Sequence, residues 1–513
     1  MSNQLQGKSG GGESFASRFG AIMSMAGMCI GMGSVWRFPY MVGQYGGGSF
    51  IIAYVISCLV IVLPLAIVEC GIGKGYGKGM IGVFTDVFHS KAGGKVVGSI
   101  YSVGYFTMNF FYYAVLASST YFIYSCAVGE WNTKAPQDIY PAFSDKKLLV
   151  AIISVVLVVA TIWVIVKGVD AGIEKMSKIM IPMMFVFFIA VIIFGIFCID
   201  GIQEGYNWYL QPDWEMLAKP EVWLAAVSQG LFAVGVGPGC VLTYGSHLKK
   251  TSDVTLNMTT VCLLTCSVGV IVGMALIPAC IAMGLDPASG SMLIYEVIPT
   301  LLSSIPAGRI VGVLLFVAIF FAGFSTAIAQ TEVAVATFAN DLKWGRRKAG
   351  YFFGAINIVT VVWAAYSTRF YDFWNDFSGN YVFIITAGVG AILFMYVIGA
   401  EKVRLKYLNP SSDIRVGKWF STYAKWVAAP LMILVMLNSL FGIYDTSGVV
   451  QQRGEVAATL SAPTIVILVI IVVLLFGSTI YVLRRCIKST ERTPEDIAAY
   501  EAANPVPEKA AKK

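Results

Sequence analysis

The sequence predicts an all-α polytopic membrane protein, and two observations carry that prediction: the composition and the recurrence of long apolar runs. The chain has 513 residues, of which 57% are hydrophobic and 13% are charged, whereas soluble globular chains contain about 25% charged residues. The apolar runs, such as residues 50–68 and 464–483, reach the ~20 residues that a helix needs to cross ~30 Å of hydrocarbon. The polar N-terminus lacks the apolar core of a cleaved signal peptide.

The apolar runs predict twelve transmembrane helices, which we number in chain order as spans 1 to 12. Spans 1 and 6 each contain a glycine-rich interruption, whereas the runs at spans 4, 5 and 12 are almost free of charge. The predicted spans are 15–40, 46–72, 97–126, 148–167, 174–199, 221–246, 254–284, 307–340, 349–367, 376–400, 419–443 and 463–485.

Lysine and arginine predict the orientation of these spans. With the N-terminus inside, the inner loops hold the basic clusters at 74–95, 167–178, 249–250, 343–348 and 402–418, and the outer loops hold few basic residues. Because cytoplasmic loops carry the excess of basic residues, both termini are predicted to be cytoplasmic, in a multi-pass protein of the plasma (inner) membrane. The formal net charge of +7 is therefore attributed to topology, and no nucleic-acid partner is predicted.

The residues that usually carry redox or hydrolytic chemistry do not form a site pattern. The ten cysteines lie mostly inside spans, as small core residues do. The two histidines, His89 and His247, are far from any metal-ligand spacing. The stretch GIGKGYGKG (71–79) lacks the G-x-x-x-x-G-K-[ST] pattern of a phosphate-binding loop. The protein is therefore predicted not to be an enzyme.

Spans 1 and 6 are predicted to be unwound near the middle of the bilayer. Span 1 has glycines at 27, 31 and 33, followed by Ser34 and Arg37. Close helix packing explains small residues four apart, but it does not explain Gly33 with the polar residues that follow. In span 6, the run GVGPG (235–239) contains a proline that removes a backbone donor. Hydrocarbon cannot satisfy the freed backbone groups, so they must face a ligand, an ion or water.

Several motifs together resemble those of the neurotransmitter:sodium symporter family. They are SVWRFPY (34–40), GGGSF (46–50), PLAIVECGIGKGYG (64–77), PDWEMLAKPEVWLAAVSQGLF (212–232), FFAGFSTAIAQ (320–330) and YDFWND (371–376). The resemblance implies a LeuT-like fold, a five-plus-five inverted repeat in which helices 1 and 6 are unwound around a midplane substrate. It divides the chain into a cytoplasmic N-terminal segment (1–14), the transport core (15–400), peripheral helices 11 and 12 (401–485) and a cytoplasmic tail (486–513).

The resemblance implies sodium-coupled symport by alternating access, with a small neutral amino acid as substrate and a sodium ion as the coupling ion. The family's second sodium site falls on five positions that all offer oxygen, the type of ligand that hard cations prefer. These positions are Gly27, Ile30, Ala322, Ser325 and Thr326.

The family's other ion sites look dismantled in this chain. At the first sodium site, two asparagines and a threonine become Ser34, Thr265 and Ala233. The chloride site keeps Tyr54 and Gln229 but has Ala233 and Gly269 at its other positions. One sodium and no chloride are therefore expected. A proton could supplement that sodium through Glu332, which could equally be a hydrated group near the inner vestibule.

The resemblance also implies a substrate site. The substrate carboxylate would meet backbone amides of span 1 and the hydroxyl of Tyr113, and Gly31 stands where monoamine carriers have an aspartate. Asn109 and Gln330 are expected to bind a polar substrate group or a water, or else to bond each other or the backbone. The predicted substrate-binding residues are Cys29, Gly31, Met32, Gly33, Asn109, Tyr113, Phe232, Gly235, Gly237, Thr326 and Gln330.

Two gates are implied by the same resemblance. An ion pair between Arg37 and Asp372 would close the outer side, above an aromatic lid of Tyr113 and Phe232, although a static pair is the alternative. The inner gate departs from the family, because no arginine precedes Phe15 at the expected spacing and Asn340 stands in place of an acid. Glu13, Lys8 or a shifted pairing could substitute.

Other functions remain open at this level. A non-transporting amino-acid sensor could share the fold, and a symporter could carry another small amine or osmolyte. The oligomeric state is not predicted.

Overall fold

The computed structural model describes residues 13–288, 293–441, 465–466, 469, 473, 477–488 and 493–505. Over these residues the chain is helical and contains no sheet beyond one isolated bridge between Gly47 and Pro212. Within them, nine helices are long and apolar enough to cross a membrane, or ten if one bent pair counts as a single span. The all-α multi-pass fold is thus confirmed. The count of twelve stays a prediction, because residues 463–464, 467–468, 470–472 and 474–476 of predicted span 12 lie outside the described residues.

The helices follow the predicted order. Spans 1 and 6 are each divided, into Arg18–Cys29 with Gly33–Gln44 and into Pro220–Val234 with Cys240–Ser246. Spans 2–5 and 7–11 correspond to Gly48–Tyr76, Lys91–Val128, Lys147–Val166, Val169–Cys198, Val254–Ala282, Gly308–Asp341, Arg346–Tyr366, Phe383–Ser411 and Lys418–Asn438. Shorter helices are Met80–Phe88, Pro136–Ser144, Ile202–Leu210, Leu293–Ser304, Thr368–Asp376, Ser478–Lys488 and Pro494–Ala503.

The interruption of span 1 follows from close packing around its glycines. The first helix ends at Cys29, Ile30 leaves helical geometry (φ −86°, ψ 83°), and the two halves meet at a bend of 58°. A Cβ on Gly31 would overlap the side chain of Thr326, and a Cβ on Gly33 would lie 2.5 Å from the ring of Phe232. Only glycine therefore allows spans 6 and 8 to approach the break this closely.

The interruption of span 6 depends on backbone conformations that favour glycine. Gly235, Gly237 and Gly239 have φ values of +71°, +107° and +94°, which side chains on L-residues disfavour. Glu69 of span 2 satisfies backbone donors that the break exposes. Its carboxylate accepts the N–H of Gly237 at 2.7 Å and the N–H of Leu242 at 3.3 Å.

The long helix of span 8 lies at the centre of the bundle. It packs against spans 1, 3, 4 and 5, while spans 4, 5 and 9 present exposed apolar side chains such as Val156, Val186 and Val359. That outer surface suits lipid, since a bilayer solvates apolar side chains. The arrangement brings the two breaks against spans 3 and 8, where the site lies.

Candidate functional site

A cavity of about 580 Å³ lies where the breaks of spans 1 and 6 face spans 3, 8 and 10. Its wall is mostly aromatic and aliphatic, with a few polar groups, and Arg37 is the charged residue among those that line it. The lining residues are Met28, Cys29, Gly31, Met32, Gly33, Trp36, Arg37, Tyr40, Tyr105, Met108, Phe111, Tyr112, Val115, Phe232, Gly235, Thr326, Gln330, Asn375 and Phe383.

Most of the predicted substrate-binding residues come together in this wall. The residues of span 1 contribute their unwound backbone to the wall. The residues of spans 6 and 8 form the opposite side of the cavity. The predicted residues that line the cavity are Cys29, Gly31, Met32, Gly33, Phe232, Gly235, Thr326 and Gln330.

Three predicted substrate-binding residues lie elsewhere. Asn109 donates to the hydroxyl of Thr331 at 3.0 Å, and the hydroxyl of Tyr113, which is fully buried, lies 3.5 Å from the same oxygen. Gly237 packs against Ala387 and donates to Glu69. The structure therefore does not bring Asn109, Tyr113 or Gly237 to the cavity, and Asn109 bonds the side chain of Thr331 instead of Gln330 or the backbone.

Tyr112 occupies the place in the wall that was expected for Tyr113. Successive residues of a helix point about 100° apart, so the neighbouring tyrosine faces the cavity when Tyr113 faces span 8. The hydroxyl of Tyr112 accepts the N–H of Met32 at 3.4 Å. Sequence reasoning also missed the aromatic wall of Trp36, Tyr105 and Phe383, since apolar residues inside a span carry no signal that separates lining from core.

Gln330 lines the cavity and carries an unsatisfied polar atom. Its side chain is 2% exposed, and its Oε1 atom has no hydrogen-bond partner among the described residues. A buried polar atom without a partner is costly. The position thus offers a hydrogen-bonding group to whatever fills the cavity.

The residues of the expected second sodium site lie together beside the cavity. The hydroxyl of Thr326 lies 3.5 Å from the carbonyl oxygen of Gly27, and Ser325 donates to the carbonyl of Ala322 at 2.9 Å. Ile30 lies at the break that ends the first helix. The groups that could act as ligands here are all neutral oxygen atoms, which suit a hard monovalent cation. Thr326 belongs both to this cluster and to the cavity wall.

The positions of the first sodium site are engaged differently. Thr265 donates to Val261 of its own helix at 2.8 Å, and Ala233 has no side-chain oxygen. Ser34 is buried, and its hydroxyl has no partner in the described part of the chain. At the position of the family's chloride site, Gln229 uses its side-chain N–H to donate to the carbonyl of Gly33 at 2.8 Å.

The outer side of the cavity does not show the expected ion pair. The guanidinium carbon of Arg37 lies 5.4 Å from the centre of the Phe232 ring, within the range of a cation–π contact. Asp372 is exposed on the helix Thr368–Asp376, and the ion pairs between described residues do not include one that joins it to Arg37. The predicted ion pair between Arg37 and Asp372 is therefore not formed in this structure.

The predicted inner side is closed by a network that joins the N-terminal segment to spans 6, 8 and 9. Arg346 contacts both oxygens of Glu332, at 3.0 and 2.7 Å, and lies 3.4 Å from Glu13. His247 lies 3.1 Å from Glu332. Glu332 is fully buried, so it is not a hydrated vestibule group. Asp341 instead accepts the N–H groups of residues 79 and 82, at 3.1 and 2.8 Å.

Comparison with known proteins agrees with this geometry. A profile of the sodium:neurotransmitter symporter family matches residues 12–135 and 142–483. An uncharacterized sodium-dependent transporter of Methanocaldococcus jannaschii is 29% identical over 473 residues, which cover 85% of this chain and 94% of the relative. A similar protein of Haemophilus influenzae is 27% identical over 455 residues, covering 84% of this chain and 98% of the relative.

A solved structure is similar over the same length. The crystal structure of MhsT in complex with L-phenylalanine superposes with a TM-score of 0.73 at 26% identity, covering 84% of this chain and all (100%) of MhsT. These relatives are transporters and not enzymes, in agreement with the prediction. The match extends across both interrupted spans and the cavity between them. The chain therefore belongs to the sodium:neurotransmitter symporter family and is a sodium-dependent transporter.

Proposed function

We propose that the protein carries out sodium-coupled symport of a neutral amino acid by alternating access. The observation that carries this proposal is the position of Thr326. Its hydroxyl lies 3.5 Å from the Gly27 carbonyl, and the same side chain lines the cavity. A sodium ion held by Gly27, Ile30, Ala322, Ser325 and Thr326 would order the break of span 1, and the substrate would contact that same break. Each ligand would thus stabilise the site of the other, as linkage requires.

The cavity supports an amino acid as the substrate. The N–H groups of Met32 and Gly33 start the second half of span 1, where a helix N-terminus favours an anion such as a carboxylate. Tyr112 adds a hydroxyl beside Met32, so we assign it the role that the sequence suggested for Tyr113. The residues that line the cavity include no acid, which disfavours a substrate that is only an amine.

The remaining wall supports an apolar or aromatic side chain on that amino acid. Phe232 and Phe383 lie 5.0 Å apart between ring centres, and Phe111 and Tyr105 belong to the same wall. Gln330 is the polar exception. MhsT, which was crystallised with L-phenylalanine, supports the same class of substrate.

We further propose one coupled sodium and no chloride requirement. At the expected first sodium site, Ala233 has no side-chain oxygen and the Thr265 hydroxyl donates to Val261 of its own helix. At the expected chloride site, the Gln229 side chain donates to Gly33. These positions therefore offer fewer ligands to a first sodium ion or a chloride ion. Replacing chloride with gluconate should leave uptake unchanged, and a strict chloride requirement would contradict this part of the proposal.

Uptake into proteoliposomes tests the function directly. A panel of radiolabelled neutral amino acids is offered under an inward sodium gradient, with a potassium gradient and a proton gradient as controls. We expect accumulation of an apolar or aromatic amino acid that collapses when sodium is equal on both sides. Binding without accumulation under any gradient would indicate a sensor instead, and accumulation of an osmolyte or amine alone would change the substrate class.

A further inference from the structure

A second cavity lies at the predicted outer end of the bundle, apart from the substrate cavity. Its volume is about 680 Å³, and its wall shares no residue with the wall of the substrate cavity. The wall is drawn from residues 127–132 and 302–314, which include the end of span 3, the end of the helix Leu293–Ser304 and the start of span 8. We call this cavity the outer cleft. The proposed symport gives it no role.

The outer cleft holds one positive charge. Among the described residues that line it, Arg309 is charged and none is an acid, and the ion pairs between described residues do not include Arg309. Glu130 precedes the wall residue Trp131, but other groups engage its carboxylate. One oxygen contacts Nζ of Lys134 and the other accepts the hydroxyl of Tyr121, both at 2.8 Å. The guanidinium therefore lines the cleft without a carboxylate partner in the described structure.

The end of span 3 fixes the position of this guanidinium. Gly129 follows the last turn of the helix with φ +70°, and a Cβ there would lie 3.2 Å from Cδ and Nε of Arg309. Glycine therefore lets the arginine side chain pass close to the helix end. One terminal nitrogen of Arg309 donates to the carbonyl of Ala127. Since a guanidinium has five N–H donors, this contact leaves donors for a ligand.

A second donor and an apolar strip lie next to Arg309. The same Cβ on Gly129 would lie 3.0 Å from Nδ2 of Asn132, so this amide is a neighbour of the guanidinium. On span 8, the wall residues Ile310, Val313 and Leu314 share one helix face, and Ile310 is 60% exposed. The outer cleft thus places hydrogen-bond donors beside an apolar strip.

The position and chemistry of the outer cleft match the head of a membrane lipid. Trp131 and the 60% exposed Tyr124 lie near the end of span 3, and these residue types concentrate where helices leave the bilayer. A phosphodiester offers the negative charge and the acceptor oxygens that a guanidinium binds well, and an acyl chain would cover the apolar strip. Inorganic phosphate would leave the strip uncovered, and a headgroup with its own cation would find no acid in the wall.

We propose that the outer cleft binds an anionic phospholipid, with its phosphate at Arg309 and Asn132 and an acyl chain along the face that contains Ile310. The bound lipid joins the end of span 3 to the start of span 8, the two helices that also contribute Tyr112 and Thr326 to the substrate cavity. This assignment rests on the chain being a membrane protein and does not depend on the proposed symport.

Photolabelling of the full-length protein in nanodiscs tests the site. The nanodiscs contain phosphatidylcholine and a small fraction of phosphatidylglycerol with a diazirine on its acyl chain. We expect peptides that cover 119–134 and 302–317 to be labelled severalfold more than peptides of the exposed apolar surfaces of spans 4 and 5. In Arg309→Gln this excess should fall at least threefold. An unchanged excess would overturn the proposal, since lipid that surrounds the whole protein would then explain the labelling.

Two further variants keep the result interpretable. Arg369→Gln changes an exposed arginine of the predicted outer side that does not line the cleft, and it should label like the wild type. Val313→Trp fills the cleft while leaving Arg309 in place, so the excess should fall again, even if Arg309→Gln does not fold. An unchanged excess in Val313→Trp would contradict binding inside the cleft.

Competition distinguishes the source of the phosphate. Unlabelled phosphatidylglycerol should remove the excess, and millimolar inorganic phosphate should not. Displacement by inorganic phosphate would indicate an ion site and overturn the lipid assignment. Phosphatidylcholine with the same diazirine should show no excess that depends on Arg309, and an equal excess would contradict the preference for an anionic lipid. Because no arm uses transport, failure of the symport assay would leave these results unaffected.

Discussion

At the residue scale, the side chain of Thr326 contributes both to the proposed sodium site and to the substrate cavity. Thr326 faces the Gly27 carbonyl on one side and the cavity on the other. Gly31 allows that threonine to approach, since a Cβ at Gly31 would overlap it. Coupling between ion and substrate therefore needs no long pathway, because one side chain belongs to both sites.

Replacing Thr326 with valine removes a proposed sodium ligand while keeping the shape of the side chain. A ligand to a charged group contributes about 1.5–3 kcal/mol, so the apparent sodium affinity should fall by roughly 10–100-fold. Sodium titration of substrate binding measures the effect. Thr326→Ser, which retains the hydroxyl, is the matched control, and equal sodium affinity in both variants would exclude this ligand.

Replacing Gly31 with alanine should weaken substrate binding, because the added methyl group would displace Thr326 from the break. We expect at least a tenfold loss of affinity in a direct binding assay. Gly195→Ala is the control, since a Cβ there would meet its nearest neighbour at 4.0 Å. Normal binding by Gly31→Ala would mean that the break is less crowded than the structure shows.

At the element scale, the interrupted halves of spans 1 and 6 are stabilised by neighbouring helices. Span 2 contributes Glu69, which accepts backbone N–H groups from the break of span 6. Span 8 supplies Thr326, and span 3 supplies Tyr112, opposite the break of span 1. The breaks were predictable from glycine and proline, because those residues disfavour a continuous helix.

Replacing Glu69 with glutamine should destabilise the break of span 6. The amide group offers one acceptor oxygen in place of two, so a buried backbone N–H loses its partner at a cost of about 1–3 kcal/mol. We expect a lower apparent Tm and weaker substrate binding. Glu215→Gln, at an exposed position, should change neither quantity. An unchanged Tm for Glu69→Gln would show that the carboxylate is not needed to hold the break.

The limits of sequence reasoning also appear at the element scale. The resemblance to the family implied that span 3 is a wall of the site, but a choice between Tyr112 and Tyr113 depends on how the helix is rotated. That rotation is set by packing against span 8, where Thr331 contacts both Asn109 and Tyr113. The contacts of Glu332 could not be predicted either, because its partners Arg346 and His247 come from other parts of the sequence.

At the scale of the whole molecule, the structure is closed at the predicted inner side, and its cavity reaches Arg37, Tyr40 and Asn375 toward the predicted outer side. The ion pair between Arg37 and Asp372 stays a prediction for the state in which the outer side closes. Alternating access then requires Arg346 to separate from Glu332 and Glu13, so the two ends of the bundle use different contacts. Composition and hydropathy were sufficient to predict an all-α multi-pass protein, and the motifs shared with the family implied the LeuT-like fold. The closing contacts were not predictable in this way, because they join residues distant in sequence.

The most direct test of sodium-coupled symport is the amino-acid gradient that just stops net flux in proteoliposomes at zero membrane potential. With one coupled sodium, a tenfold inward sodium gradient contributes about 1.4 kcal/mol. It should therefore be balanced by an opposing amino-acid gradient of about tenfold. Balance at about a hundredfold would indicate two coupled sodium ions. Balance only at equal amino-acid concentrations, whatever the sodium gradient, would contradict coupling altogether.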